Sequence, residues 1–343
     1  MAGYVLALAL GVVGGWAAAR IGSPLPWFIG PMVLTTVFAL GGAPVKGPNF
    51  LRPLAMPVLG VVLGSAFLIE VFSDLGQWLV PLGMIPLFIL VSTATNYVFF
   101  RRVAGLDKIT SFLSGVPGGL TDMILLGEEY GGDARQIALA HSMRVLVSVL
   151  AIALFVVWFS GTLGSPTPRP VTHVTDLRLQ DGLVLLLCAG LGPMAGRVLR
   201  LPARMILGAL LLSALAHLTG LTRAPVPTGV SYAAQMVLGT SVGARFAGIP
   251  MASAARSMGF GFASALVSLV VSAGMAYVAV LVAGIDYVAA LLGYAPGGMM
   301  EMSLLALVIH QSVAYVSVAH IIRYVVVMVA AISAFKLFRR HIS

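Results

Sequence analysis

Apolar residues in this chain come in long blocks separated by short polar intervals. The blocks fall at about 3–20, 25–43, 53–72, 77–100, 108–127, 134–160, 181–199, 203–221, 230–248, 255–284, 287–309 and 313–338. At roughly 20 residues per crossing, a chain of this length has room for about ten to twelve membrane spans. The pattern therefore predicts an all-α polytopic membrane protein. The longest polar interval, from Ser160 to Asp181, carries Ser-Pro-Thr-Pro-Arg-Pro and reads as an extended linker. It divides the chain into 1–160, a linker at 161–180, and 181–343.

The two parts are copies of each other. Val116-Pro117-Gly118-Gly119-Leu120-Thr121-Asp122-Met123, followed by His141 and Arg144, returns as Ala295-Pro296-Gly297-Gly298-Met299-Met300-Glu301-Met302, followed by His320 and Arg323. Pro296 lies 179 residues beyond Pro117, and the same spacing links Asp122 to Glu301, His141 to His320 and Arg144 to Arg323. Nine of the 28 positions from Pro117 to Arg144 are identical in the second copy without a gap. Gly60, Gly64 and Phe67 correspond to Gly239, Gly243 and Phe246 at the same spacing, while Pro24 and Gly30 correspond to Pro202 and Gly208 one residue closer. Glycines four apart share one side of a helix and let a second backbone approach, so both pairs are expected at helix crossings.

Basic residues set an expected topology, because Lys and Arg favour cytoplasmic loops. Lys46 and Arg52 follow the second run, and Arg101, Arg102 and Lys108 the fourth, which leaves the loop with Glu70 and Asp74 outside. In the second copy the basic loops follow the first run (Arg197, Arg200, Arg204) and the third (Arg245, Arg256), and Lys336, Arg339 and Arg340 close the chain. The two copies are thus expected to be inverted, with both termini cytoplasmic. Inversion needs an odd number of crossings per copy, although six runs are visible in each. The Pro-Gly-Gly runs are expected to enter and turn back, because Pro and Gly-Gly break a helix in its middle. That leaves about five crossings and one broken or re-entrant element per copy.

Broken helices at membrane depth survive only inside protein or beside a wet cavity, and inverted-repeat transporters bind substrate there. The candidate site is accordingly Pro117, Gly118, Gly119, Asp122, His141 and Arg144 with Pro296, Gly297, Gly298, Glu301, His320 and Arg323. Asp122 and Glu301 fall in the first turn of a restarting helix, where a carboxylate either caps the helix or binds a cation or proton. His141 and Arg144 lie three apart and share a face, as do His320 and Arg323. Two readings stay open for the arginines: a salt bridge across the copies (Arg144 with Glu301, or Arg323 with Asp122), or a bound anion. The histidines, titrating near neutrality, either couple protons or serve packing. Glu128, Glu129, Asp133 and Arg135 have no charged counterparts in the second copy and read as a solvated loop. Asn96, Gln235, Thr240 and Ser241 line a pathway or bond between helices, His173 and His217 are peripheral, and the 16 Met residues fill gaps.

Composition agrees with the membrane reading and narrows the chemistry. The chain is 59% apolar and 9% charged, with mean hydropathy +1.04, whereas a soluble surface needs roughly a quarter charged residues. A net charge of +9 invites a nucleic-acid reading, but the basic residues sit in short clusters beside apolar runs and form no stripe. Cys188 is the single cysteine, so neither a disulfide framework nor a Cys-based metal site is expected. The N-terminal run lacks a basic leader and aligns with 181–199, which makes it the first span and not a signal peptide.

On its paired Pro-Gly-Gly-x-x-[Asp/Glu]-Met blocks, each followed by His-x-x-Arg, the whole chain resembles the AbrB family of bacterial integral membrane proteins. Members of that duplicated family are often labelled ammonia monooxygenases or regulators of gene expression, and they are unrelated to the small DNA-binding regulator of the same name. The resemblance implies a bacterial inner-membrane location and says little about activity. Three functions follow: a secondary transporter or exporter of a small solute, a membrane-bound regulator, and a monooxygenase. An oxygenase would have to assemble a metal from His141, His320, Asp122 and Glu301, and no close histidine cluster points to one. No cofactor or metal is expected, and the partners are the lipid bilayer and a small-molecule or ion substrate, with a homo-oligomer left open. An anion is the preferred substrate because Arg144, Arg323 and two helix N-termini are positive, unless the arginines are already paired.

Overall fold

The computed structural model describes residues 1–67, 75–160, 171–201, 203–249 and 251–339. The loop with Glu70 and Asp74, the Ser-Pro-Thr-Pro-Arg-Pro of the linker, Pro202 and Arg340 lie outside the described residues. Among the described residues there is no strand. The helices are α1 (Ala2–Arg20), α2 (Pro26–Leu40), α3 (Arg52–Gly64), α4 (Leu75–Gly83), α5 (Ile85–Arg102), α6 (Lys108–Gly115), α7 (Leu120–Tyr130), α8 (Ala134–Ser160), α9 (Leu179–Val198), α10 (Arg204–Leu218), α11 (Thr228–Gly243), α12 (Met251–Ala283), α13 (Tyr287–Tyr294), α14 (Met299–Val308) and α15 (Val313–Arg339). Among the described residues, six helical stretches are long and apolar enough to cross a bilayer: Ala2–Arg20, Leu75–Arg102, Ala134–Trp158, Leu179–Val198, Ala255–Ala283 and Val313–Ala331. Shorter apolar helices include Pro26–Leu40, Arg52–Gly64, Arg204–Leu218 and Met299–Val308. The chain is a helical, multi-pass membrane protein.

The fold divides into two compact units, each assembled from three separate stretches of the chain. The first comprises Met1–Ser73, Leu150–Ala252 and Ser303–Ala314. Within it α1 packs on α2 and α9 on α10, while α3 packs on α10 and α11 on α2. Glycine is what allows the last two crossings. A Cβ on Gly60 would stand 2.4 Å from the Ile206 carbonyl oxygen, and one on Gly239 would stand 2.2 Å from that of Phe28. Gly64 and Gly243 repeat the contact one turn on, against Leu210 and Met32. Ser213 adds a bond across the crossing, its hydroxyl donating to the Val61 carbonyl at 2.9 Å. Gln235 and Ser241, both buried, bond within α11, to Ser231 at 3.1 Å and to the Val237 carbonyl at 2.8 Å. The described end of the linker is tied to the start of α11, where Thr228 N–H donates to the Thr172 carbonyl at 3.0 Å.

The second unit comprises Asp74–Val149, Ser253–Met302 and Tyr315–Ser343, and it holds all twelve candidate site residues. Asn96 on α5 is fully buried and knits α5 to α12. Its side-chain oxygen accepts from Ser264 at 2.5 Å and its amide donates to Ser268 at 3.0 Å. Ser272, one turn further along α12, donates to the Tyr294 carbonyl at the end of α13 at 3.0 Å. Asn96, Ser264, Ser268 and Ser272 thus find partners between helices, as burial in an apolar setting favours. Glu128 and Glu129, expected in a loop, belong to the exposed last turns of α7, which closes at Gly131 in the left-handed conformation. Asp133 then accepts from the Arg135 and Gln136 amides, 2.9 and 3.1 Å away, and caps α8.

Candidate functional site

Each candidate block begins with a capped half-helix. The Asp107 side chain accepts from the Ile109 and Thr110 amides, both at 2.9 Å, and starts α6. Asp286, 179 residues later, accepts from Val288 and Ala289 at 2.9 and 3.0 Å and starts α13. Asp107 is exposed at the mouth of its element. Partial burial pushes its carboxyl up, but the bonds from Thr110 and Ile109 outweigh this and hold it below the usual carboxylate range. Sequence reasoning missed both caps, although their spacing alone would have found them.

Both half-helices end for the same reason. Proline has no N–H and excludes helical geometry from the residue before it. Val116, before Pro117, takes φ −63°, ψ 132°, and Ala295, before Pro296, takes φ −52°, ψ 136°. Helix resumes at Leu120 and at Met299, so 116–119 and 295–298 are non-helical interruptions. A helix end leaves up to four carbonyls without partners, a heavy cost away from water.

The His-x-x-Arg pairs meet that cost. His141 Nε2 donates to the Leu113 carbonyl at 2.9 Å. Arg144 donates to the Val116 carbonyl at 3.0 Å and, at longer range, to those of Gly115 and Ser114 at 3.4 and 3.5 Å. In the second block His320 Nε2 donates to the Leu292 carbonyl at 2.9 Å, while Arg323 donates to Ala295 and, at 2.8 Å, to Gly297. All four side chains are buried, Arg144 being only 3% exposed. Each guanidinium also donates to Nδ1 of its own histidine, at 2.8 Å for Arg323 and His320. These partners fix the tautomer: a carbonyl only accepts and a guanidinium only donates, so Nε2 carries the proton and Nδ1 offers its lone pair. A cation at a helix C-terminus is also favoured by the helix dipole.

The acids sit at the opposite poles. A Cβ on Gly119 would lie 2.5 Å from Asp122 Oδ2, and one on Gly298 would lie 2.0 Å from Glu301 Oε2, so each carboxylate folds back over the start of its own helix. Glu301 is buried at 8% exposure, while Asp122 is half-buried. The pairing of Arg323 with Asp122, one of the sequence expectations, gives way to a different contact. Tyr324, the next residue of α15, donates from Oη to Asp122 Oδ2 at 3.0 Å. Its ring also lies beside Gly119, and Val327 lies beside Gly118, so α15 of the second copy reaches the interruption of the first. Tyr324 escaped sequence reasoning because its counterpart is Val145, and attention to repeated positions passes over a residue that is not repeated. Among the described residues no three of His, Cys, Asp and Glu gather as a metal centre would require.

Fold and site together define a class: a polytopic helical membrane protein with ionisable residues buried around two interrupted helices. Residues 27–339 match the AbrB family, described as "Transition state regulatory protein AbrB", and the chain belongs to that family. It is 29% identical over 351 residues to the uncharacterized protein YhjN of Bacillus subtilis (strain 168), covering 94% of this chain and 89% of that protein. It is 24% identical over 303 residues to a protein of Escherichia coli (strain K12) provisionally named regulator AbrB, covering 88% and 85% of the two chains.

Proposed function

We propose that this chain is a secondary transporter of a small solute in the bacterial inner membrane, built from two inverted repeats and binding its solute at the two Pro-Gly-Gly interruptions. One observation carries the reading: two interrupted helices with their own buried ionisable residues occupy one unit, linked from copy to copy by Tyr324 and Asp122. Irregular backbone and charge are expensive in a membrane and are kept where something polar must pass. The recurrence of cap, interruption and clamp at a spacing of 179 residues, with the opposed Lys and Arg pattern of the loops, supports the inverted repeat.

The clamp changes the charge argument. Arg144 and Arg323 spend their bonds on carbonyls and histidine, so an anion has only the amides at the starts of α7 and α14 to bind, and the carboxylates already cover these. Each positive group is matched to a helix C-terminus and each negative one to a helix N-terminus. A site balanced in this way suits a neutral solute, or an anion that arrives with a proton.

Flux into proteoliposomes tests the reading, with pools of small anions, amines and neutral metabolites offered with and without a pH gradient. Saturable uptake is expected for wild type, and its loss in the Asp122→Asn/Glu301→Gln double variant. Absence of flux for every pool, from a monodisperse protein, would overturn it. A regulatory reading draws on the name of the Escherichia coli relative, and changed transcripts without flux would favour it.

A further inference from the structure

We infer that the two carboxylates have diverged: Asp122, steered by Tyr324, is the one that exchanges a proton, while Glu301 belongs to the scaffold. This deepens the transport reading and rests on it. Three groups compete for the role, and the geometry separates them. The histidines are engaged on both ring nitrogens, and a proton added to Nδ1 of His141 or His320 would put an N–H against a guanidinium that can only donate. Glu301 is buried over Gly298. Asp122 is half-buried, and the titratable side chain that faces it is the phenol of Tyr324 on α15; the neighbouring Arg323 turns to the Ala295 and Gly297 carbonyls.

The phenol is a suitable partner because it works in both states. Toward a carboxylate its hydroxyl donates, as it does here at 3.0 Å. Toward a carboxylic acid the same oxygen accepts after the hydroxyl rotates. An arginine carries a fixed charge and would hold the acid in its charged form. The first copy alone places Tyr324 against its acid, since Val145 at the equivalent position carries no donor. Its surroundings differ too. The buried hydroxyls of Ser92 and Ser114 have no hydrogen-bond partner among the described residues. Ser114 is in the last turn of α6, and Ser92 is one turn along α5 from Asn96, which packs on Gly115. Their equivalents are Val271 and Gly293, so these two hydroxyls beside the first interruption are not repeated in the second copy.

Dicyclohexylcarbodiimide, which adds to protonated carboxyls from the lipid phase, tests the assignment on the full chain in proteoliposomes, with the adduct located by peptide mass spectrometry. Wild type should carry it on Asp122 in excess over Glu301, and Tyr324→Phe should raise Asp122 labelling, since of the phenol's two bonds the one donated to the charged form is the stronger. Glu301→Gln should leave it unchanged. Labelling of Glu301 as fast as Asp122, or none on Asp122 at any pH, overturns the inference without need of a variant, so a misfolded Tyr324→Phe protein cannot rescue it. Labelled Asp122 with no solute flux keeps the pair and removes the transport reading. Flux lost in Glu301→Gln but intact in Asp122→Asn does the reverse.

Discussion

Arg144 shows how little a buried charge says by itself. Its residue type and its place inside an apolar run suggested a substrate or a salt bridge, yet its partners are the carbonyls at the end of α6 and the ring of His141. The spacing of three placed histidine and arginine on one face, and that much was legible. What they face was not, because partners 28 residues upstream depend on how α6 and α8 pack. Tyr324 was illegible for the opposite reason, being a singular residue in a duplicated block. The clamp predicts a large structural penalty. Arg144→Ala leaves carbonyls unsatisfied and should lower stability by about 3 kcal/mol. Arg144→Lys should recover only part of it, since an ammonium lacks the guanidinium fork. Unfolding in detergent, followed by circular dichroism against temperature, checks both, and an alanine variant as stable as wild type would show that the carbonyls find other partners.

At the scale of the element, proline and glycine did most of the predicting. Pro117 and Pro296 end their half-helices through the residue before them, and the glycines spaced by four mark the crossings in the first unit. Run lengths were a poorer guide. The run at 53–72 yields a helix that stops at Gly64, and the run at 77–100 is two helices divided at Met84. Gly60→Ala should therefore cost about 2 kcal/mol, because its methyl would meet a carbonyl oxygen and no flexible side chain. Gly274→Ala, whose methyl would meet nothing within 4 Å, should be neutral or slightly stabilising. Equal melting temperatures for the two variants would contradict the close approach. The caps carry a further expectation: Asp107→Ala and Asp286→Ala should each cost about 1 kcal/mol. Because Asp107 is held below the usual carboxylate range when folded, its contribution is fully present above that range and lost as pH falls through the lower folded value. The cost of Asp107→Ala should thus shrink in acid, and a pH-independent difference between the melting curves would refute the assignment.

For the whole molecule, the apolar blocks and the low charge identified a helical membrane protein without structural help, since hydrocarbon leaves few alternatives. Orientation rests on the loops. The segments around 102–108 and 197–204 follow four runs and seven runs, yet both are basic. Single cysteines placed in each, in a Cys188→Ser background, should be blocked from an impermeant thiol reagent in intact cells and become reactive after lysis. Labelling of one but not the other in intact cells would mean that the copies share one orientation.

The crossings in the first unit also bear on how the protein is made. α3 needs the backbone of α10 against Gly60 and Gly64, and α2 needs that of α11. Synthesis delivers α2 and α3 long before either partner exists. Until the second copy is translated, the first holds the glycine notches of α3, and the face of α2 that α11 covers, with nothing to fit them, open to premature pairing or to proteolysis. Carrying both sets of helices on one chain thus supplies the missing surfaces in fixed proportion and within one round of translation. Two separately expressed halves would have to find each other by diffusion in the membrane.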